Sequence, residues 1–258
     1  MHCLETVLEW RLKKSSCRDS SPQCAMFQSP DNKGFEEYLE DIYYHRLGIE
    51  YKYQVTLCLE NQPEVTPGIR GLLVTWMTQI HHQLTLCQDT LFIAVNIVDR
   101  VLDVMQTSRD YLQLLGVTAI LLASKLAINF DLLVPTSQFF LEYFASQVIG
   151  MHKGFDADKL RQARGFARCI LELSLQDYDL SQIKASMLAF CVWKVSVDDA
   201  AIPDGDYMPP GLCFTPEYYQ YVYKEVRNFS ETLRQSFPDL ESICEHYVSL
   251  YGMETTQN

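Results

Sequence analysis

The sequence predicts an all-α protein built as two helical bundles in tandem. Three observations carry that reading. From residue 35 onward apolar residues recur at i, i+3, i+4 and i+7, the stripe of a helix face. Polarity alternates at a period of two nowhere for long enough to build a sheet. The helical pattern also breaks near residues 130–135, where Phe130-Asp131-Leu132-Leu133-Val134-Pro135-Thr136 reads as an extended lead-in to a new helix.

Residues 1–34 are expected to form a flexible segment, because 11–34 are polar and rich in Ser, Pro and Lys. Ser21-Pro22 and Ser29-Pro30 there are minimal proline-directed kinase sites. Residues 35–133 make the first folded unit. Its first helix, 35–47, places Phe35, Leu39, Ile42 and Tyr43 on one stripe. Thr66-Pro67 starts the next, with Ile69, Leu72, Leu73, Trp76 and Ile80 aligned. Asp89 is the expected cap of a third helix carrying Leu91, Val95, Val98, Leu102 and Met105 inward. The fourth helix, 110–125, is apolar nearly all round, so it is expected at the centre of its bundle with neighbours on every side. Gly116, Ala119 and Ala123 give those neighbours room.

Residues 134–251 make the second unit. Phe139, Phe140, Tyr143 and Phe144 mark one helix, and Leu160, Ala163, Ala167, Ile170, Leu171 and Ser174 another. Residues 182–197, with Met187, Phe190, Cys191 and Val195 inward, mark a third. After a Pro- and Gly-rich loop at 198–216, Tyr218, Val222, Val226, Phe229 and Leu233 mark the next, and Pro238 opens a last helix with Leu240, Ile243, Cys244, Tyr247 and Val248. Residues 252–258 are a tail.

Lys and Arg number 21 against 33 Asp and Glu, a net charge of −12, which disfavours a nucleic-acid backbone as partner. The nine cysteines include no C-x-x-C pair and no zinc spacing, so reduced thiols in an intracellular protein are expected. The acidic start MHCLETVLEW is unlike a signal peptide, and no run of about 18 apolar residues suggests a membrane span.

Catalysis finds little support. His81 and His82 are adjacent, so a helix points them about 100° apart and they cannot chelate one ion as an i, i+4 pair does. There is no phosphate loop, nucleophile elbow or H-E-x-x-H, and Asp198-Asp199 reads as a solvated surface pair. No catalytic residue, metal or cofactor is expected; binding is the expected activity.

The stretch NQPEVTPGIRGLLVTW (61–76) resembles the entry to a cyclin box, whose signature is Met-Arg-Ala-Ile-Leu followed by Val-Asp-Trp. FIAVNIVDRVLD (92–103) resembles the second box helix and YLQLLGVTAILLASK (111–125) the third, with matching spacing. YLEDIYYHRLGIEYKYQV (38–55) is similar to the N-terminal helix of the cyclin A/B type, and ELSLQDYDLSQIKASMLAF (172–190) to the start of the second fold of cyclins J and O. The resemblance implies two tandem cyclin-type bundles and a regulatory subunit of a cyclin-dependent protein kinase, working in the nucleus and cytoplasm. Lys125 matches the lysine with which cyclins hydrogen-bond the kinase near its C-helix. Ile69, Leu72, Leu73, Trp76 and Gln113 match the family's docking patch for hydrophobic substrate motifs, although plain core packing explains several of them equally. Gln79, His82 and Gln83 stand where that patch has its acidic rim. Arg70 and Asp99, each costly to bury alone, are paired by the resemblance as a structural brace.

The resemblance breaks after Lys125. Cyclins continue with two further helices before the Pro-Thr linker; here only Leu126-Ala127-Ile128-Asn129 precede it. Two helices with connections need roughly 30 residues. Three explanations stand: a splice or gene-model variant, a divergent cyclin with a smaller first fold, or an extension of the core helix through Leu126–Phe130 that leaves its far face bare. Each removes neighbours from the core helix and exposes apolar surface. A cyclin-fold protein that engages no kinase productively is the alternative reading. Arg109–Leu112 and Arg168–Leu171 fit an R-x-x-L destruction pattern but fall on helices.

Overall fold

The computed structural model describes residues 33–128, 134–151, 156–202, 207–237 and 240. Among them the protein is helical, with no strand. Helix α1 spans Lys33–Ile49 and runs into a single 3-10 turn, Glu50–Lys52. Helix α2, Pro67–Gln83, starts as Thr66-Pro67 dictates: the Thr66 hydroxyl accepts from the Ile69 N–H, and Pro67 occupies the first turn, where no donor is needed. Helix α3 is Gln88–Val104. Its cap is Cys87 rather than Asp89, and no side chain closes it. The helix stops one residue before Met105, whose extended backbone leaves it exposed rather than inward.

A 3-10 turn, Arg109–Tyr111, leads into α4, Leu112–Ile128. The second half comprises α5 (Ser137–Met151), α6 (Ala157–Ser174), the one-turn α7 (Tyr178–Ser181), α8 (Ala185–Asp199) and α9 (Pro216–Ser236). The expected helix at 182–197 is α8, which begins at Ala185; the one-turn α7 before it, capped by Asp177 accepting from Leu180 N–H, is an addition to the expected elements. Of the last expected helix, Leu240 alone is described, and it is buried. The proposed sites at Ser21 and Ser29 lie outside the described residues.

Two apolar cores form. The first gathers Leu73, Val74 and Met77 of α2, the inner face of α3, and Leu112, Ala119, Ile120 and Ala123 of α4. The second is organised on α8, where Trp193, Phe190 and Val195 are buried among α5, α6 and α9. Helix α1 contributes Leu39 and Tyr43 to this second core. The Tyr43 ring stacks on Tyr143 at 4.0 Å and meets Phe140 and Phe144 edge-on, contacts worth about 0.5–1.5 kcal/mol each beyond burial. Its hydroxyl donates to the Pro210 carbonyl.

Polar contacts tie the second half together. Glu142 of α5 accepts from Arg164 and Arg168 of α6, and its carboxyl lies well below the usual range, at about 2: burial opposes ionisation, but the two guanidinium groups outweigh it. Asp198 and Asp199 are exposed, as expected, and also bind α9. Asp199 pairs with Arg227 and Arg234, and Asp198 accepts from the Tyr223 hydroxyl. Cys58, Cys169, Cys191 and Cys213 are free thiols. Cys87 is half-buried in the turn between α2 and α3.

Candidate functional site

Helix α4 is where sequence and structure differ most. Its inner face packs on α3 and α2, with Gly116 close to Leu73 and Met77. A Cβ at 116 would come within 3.2 Å of both side chains, so the small residue sets the helix separation. On the opposite face Leu114, Val117, Leu121 and Leu122 are 64%, 46%, 55% and 45% exposed, with no neighbouring helix among the described residues. The expectation of a helix surrounded on all sides is therefore overturned. Hydrophobicity identified a helix but not which neighbours exist to bury it. The helix continues past Lys125 to Ile128, and Lys125 is exposed on this open face, one turn from Leu121 and Leu122.

The residues expected to form a docking patch divide. Leu72 is 53% exposed, and Ile69 and Trp76 are half-buried on the same side of α2. Leu73 is 5% exposed and belongs to the core beneath them. Gln113 is exposed on the first turn of α4, three residues before the Gly116 contact that joins the two helices. Of the expected rim, Gln83 is exposed and Gln79 half-buried. His82 turns away into the seam between the halves, where its Nε2 lies 2.8 Å from Oε1 of the fully buried Glu172. Its neighbour His81 has a different partner, the Cys87 carbonyl at 2.8 Å.

Beside this surface lies the charged brace. Arg70 donates from Nε and Nη2 to the two carboxylate oxygens of Asp99 at 2.7 and 2.6 Å, and from Nη1 to the Leu175 carbonyl at 2.9 Å. Burial alone would favour the neutral guanidine, but Asp99 more than restores the proton's hold. Cys58 Sγ stands 3.8 Å from Asp99 Oδ1; burial and then that carboxylate push its thiol pKa up to about 12, which makes it unreactive.

The Leu175 bond belongs to a larger clasp that sequence reasoning missed. The turn between α6 and α8 docks on the first half. The Tyr178 hydroxyl accepts from Leu59 N–H, Gln182 Oε1 from Leu57 N–H, and Thr75 of α2 donates to Gln176. Gly71 lies so close that a Cβ there would come within 3.1 Å of the Gln176 carbonyl oxygen. A second clasp joins Asp89 to Thr136, whose hydroxyl donates to the Asp89 carboxylate at 2.7 Å and accepts from Phe139 N–H to cap α5. The only sequence signals for these contacts were single Gly, Thr and Gln positions, each common at helix ends and surfaces.

Comparison with known proteins gives a consistent result. A family model described as the cyclin N-terminal domain matches residues 41–151. Cyclin-O protein B of Xenopus laevis is 28% identical over 206 residues, covering 66% of this chain and 56% of its own. The G2/mitotic-specific cyclin-B of Patella vulgata is 43% identical over 89 residues, 34% of this chain and 22% of its own. A viral cyclin from herpesvirus saimiri superposes with a TM-score of 0.55 at 16% identity, covering 75% of this chain and 96% of that one. The chain spans about half the length of the cyclin O relatives it matches.

Proposed function

We propose, from the match of residues 41–151 to the cyclin N-terminal domain, that the chain is a cyclin-type regulatory subunit of a cyclin-dependent protein kinase in cell-cycle control, doing no chemistry of its own. The observation that carries this reading is the exposure of Lys125 on an open apolar face. A cation set among leucines suits a partner that offers a hydrogen-bond acceptor inside an apolar contact. On this reading α4 docks against the kinase C-helix and favours the active arrangement of the kinase's Lys–Glu ion pair and activation loop, an allosteric effect. Leu72, Ile69, Trp76 and Gln113, with Leu73 beneath, form a second, apolar surface for hydrophobic docking motifs on substrates. With Gln79 and Gln83 uncharged, that surface selects by shape rather than by basic residues. The compartments proposed are nucleus and cytoplasm, which a fluorescent fusion checks.

The bare face of α4 also supports a second reading, an interaction protein that binds a kinase without activating it. One experiment separates the two: capture with a panel of cyclin-dependent kinases, followed by a phosphotransfer assay on each captured pair. Capture with activity, both lost in Lys125→Glu, supports the first reading. Capture without activity supports the second. A panel that captures nothing, or capture unchanged in Lys125→Glu, overturns the placement of a kinase on α4.

A further inference from the structure

The open face of α4 has a spacing of its own. Tyr111, Leu114, Thr118, Leu121 and Lys125 fall at intervals of three, four, three and four residues, the seam pattern of a helix that pairs with another helix. Leu122 and Val117 flank the seam, exposed as well. The single polar group at its centre is already satisfied: the Thr118 hydroxyl donates to the Leu114 carbonyl at 2.7 Å, so covering it strands no donor. The charges stand at the ends and are opposite in sign, with Asp110 at the N-terminal end and Lys125 near the C-terminal end, both exposed.

We propose that this face binds the same face of a second copy of the chain, the two α4 helices running antiparallel across a two-fold axis at Thr118. That register sets Leu114 of one copy against Leu122 of the other. It also sets Lys125 of each against Tyr111 and Asp110 of its partner, so the face's one cation finds an aromatic ring and a carboxylate. An isologous contact of this kind needs a surface that complements itself end for end, and opposite charges at the two ends of an apolar strip provide it. Tyr111, Leu114, Val117, Leu121, Leu122 and Leu126 together expose on the order of 500 Å², so two copies cover on the order of 1,000 Å², the size at which a specific interface begins. The paired form buries Lys125. On the kinase reading above, self-association and kinase capture therefore compete for one face, but the pairing is argued from α4 alone and is tested without a kinase.

The test is sedimentation equilibrium of the full chain at micromolar concentration. Wild type is expected at twice the monomer mass of 29.8 kDa. Leu122→Glu, a surface substitution, is expected at the monomer mass with an unchanged helical circular dichroism spectrum. The double variant Leu114→Lys/Leu122→Glu is expected to return to the dimer, because the register puts each new lysine against the partner's new glutamate. A monomeric wild type overturns the proposal, including one that is monomeric alone and assembles only with a kinase. So does a dimer that Leu122→Glu leaves intact, or a double variant that stays monomeric while folded.

Discussion

Glu50 holds Ser186 by two bonds of 2.7 Å, one oxygen accepting the backbone N–H and the other the side-chain hydroxyl, across 136 residues of chain. The carboxylate at the end of α1 thereby caps the start of α8, whose own cap residue, Lys184, provides no side-chain bond. All three groups are buried. Glu50→Ala leaves two donors without a partner and is expected to cost about 2–3 kcal/mol in urea unfolding. Glu50→Gln keeps one acceptor and adds a donor that the Ser186 oxygen accepts, so it is expected to cost under about 1 kcal/mol. Equal losses in the two variants would contradict the capping role.

Arg70→Ala removes three hydrogen bonds and leaves Asp99 buried without its counter-charge. A loss of about 3–5 kcal/mol is expected. Replacing both partners, as Arg70→Met with Asp99→Leu, is expected to cost less than Arg70→Ala alone, because no unpaired charge remains. Chemical denaturation of Arg70→Met, Asp99→Leu and the double variant completes the cycle; additive losses would mean that the pair is not coupled.

Acid stability involves buried carboxylates shifted in opposite directions, Glu142 down and Glu50 and Asp89 up. The folded-state pKa of Glu142 is lowered to about 2 from 4.5, so its contribution is full above 4.5 and is lost as pH falls toward 2. Burial raises the folded-state pKa of Glu50, so its contribution is present below 4.5 and is lost as pH rises through the raised value. Urea midpoints measured from pH 7 down to pH 2.5 are expected to fall below pH 4.5. In Glu142→Gln, which has no such proton to gain, the decline should be shallower. A decline of the same steepness would assign acid sensitivity elsewhere.

Two glycines make contrasting contacts. A Cβ at Gly71 meets the backbone oxygen of Gln176, which cannot move without shifting the turn, whereas one at Gly116 meets the ends of Leu73 and Met77, which can rotate. Gly71→Ala is expected to destabilise by about 1–3 kcal/mol. Gly116→Ala is expected to cost less, because the Leu73 and Met77 side chains can give way while the Gln176 backbone cannot. Thermal unfolding of the two single variants checks the order.

How much of this was legible from the residues depends on the kind of contact. Helix positions followed from periodicity, since a stripe such as Leu91, Val95, Val98 and Leu102 admits little else. The Arg70–Asp99 pairing was legible only through the resemblance, which joins two charges that are each costly to bury alone. The Leu175 carbonyl that takes the third bond was not, because a backbone acceptor leaves no trace in residue type. The bare face of α4 shows the reverse limit. Apolarity on every side describes what a helix is able to bury, while the number of neighbours is a property of the whole chain, and it was the short 126–133 connection that signalled too few. His82 looked like a surface rim residue because its partner, Glu172, is 90 residues away.

Thr136 carries a consequence for any partner. One hydroxyl both opens α5 and grips Asp89 on α3, while the turn after α6 grips α2 from the other side. A chain fastened at both edges of its seam reaches a partner as one rigid body, so little ordering is left for the moment of contact. Stopped-flow association of the monomeric Leu122→Glu variant through its α2 surface should then show no slow step for one half adjusting to the other.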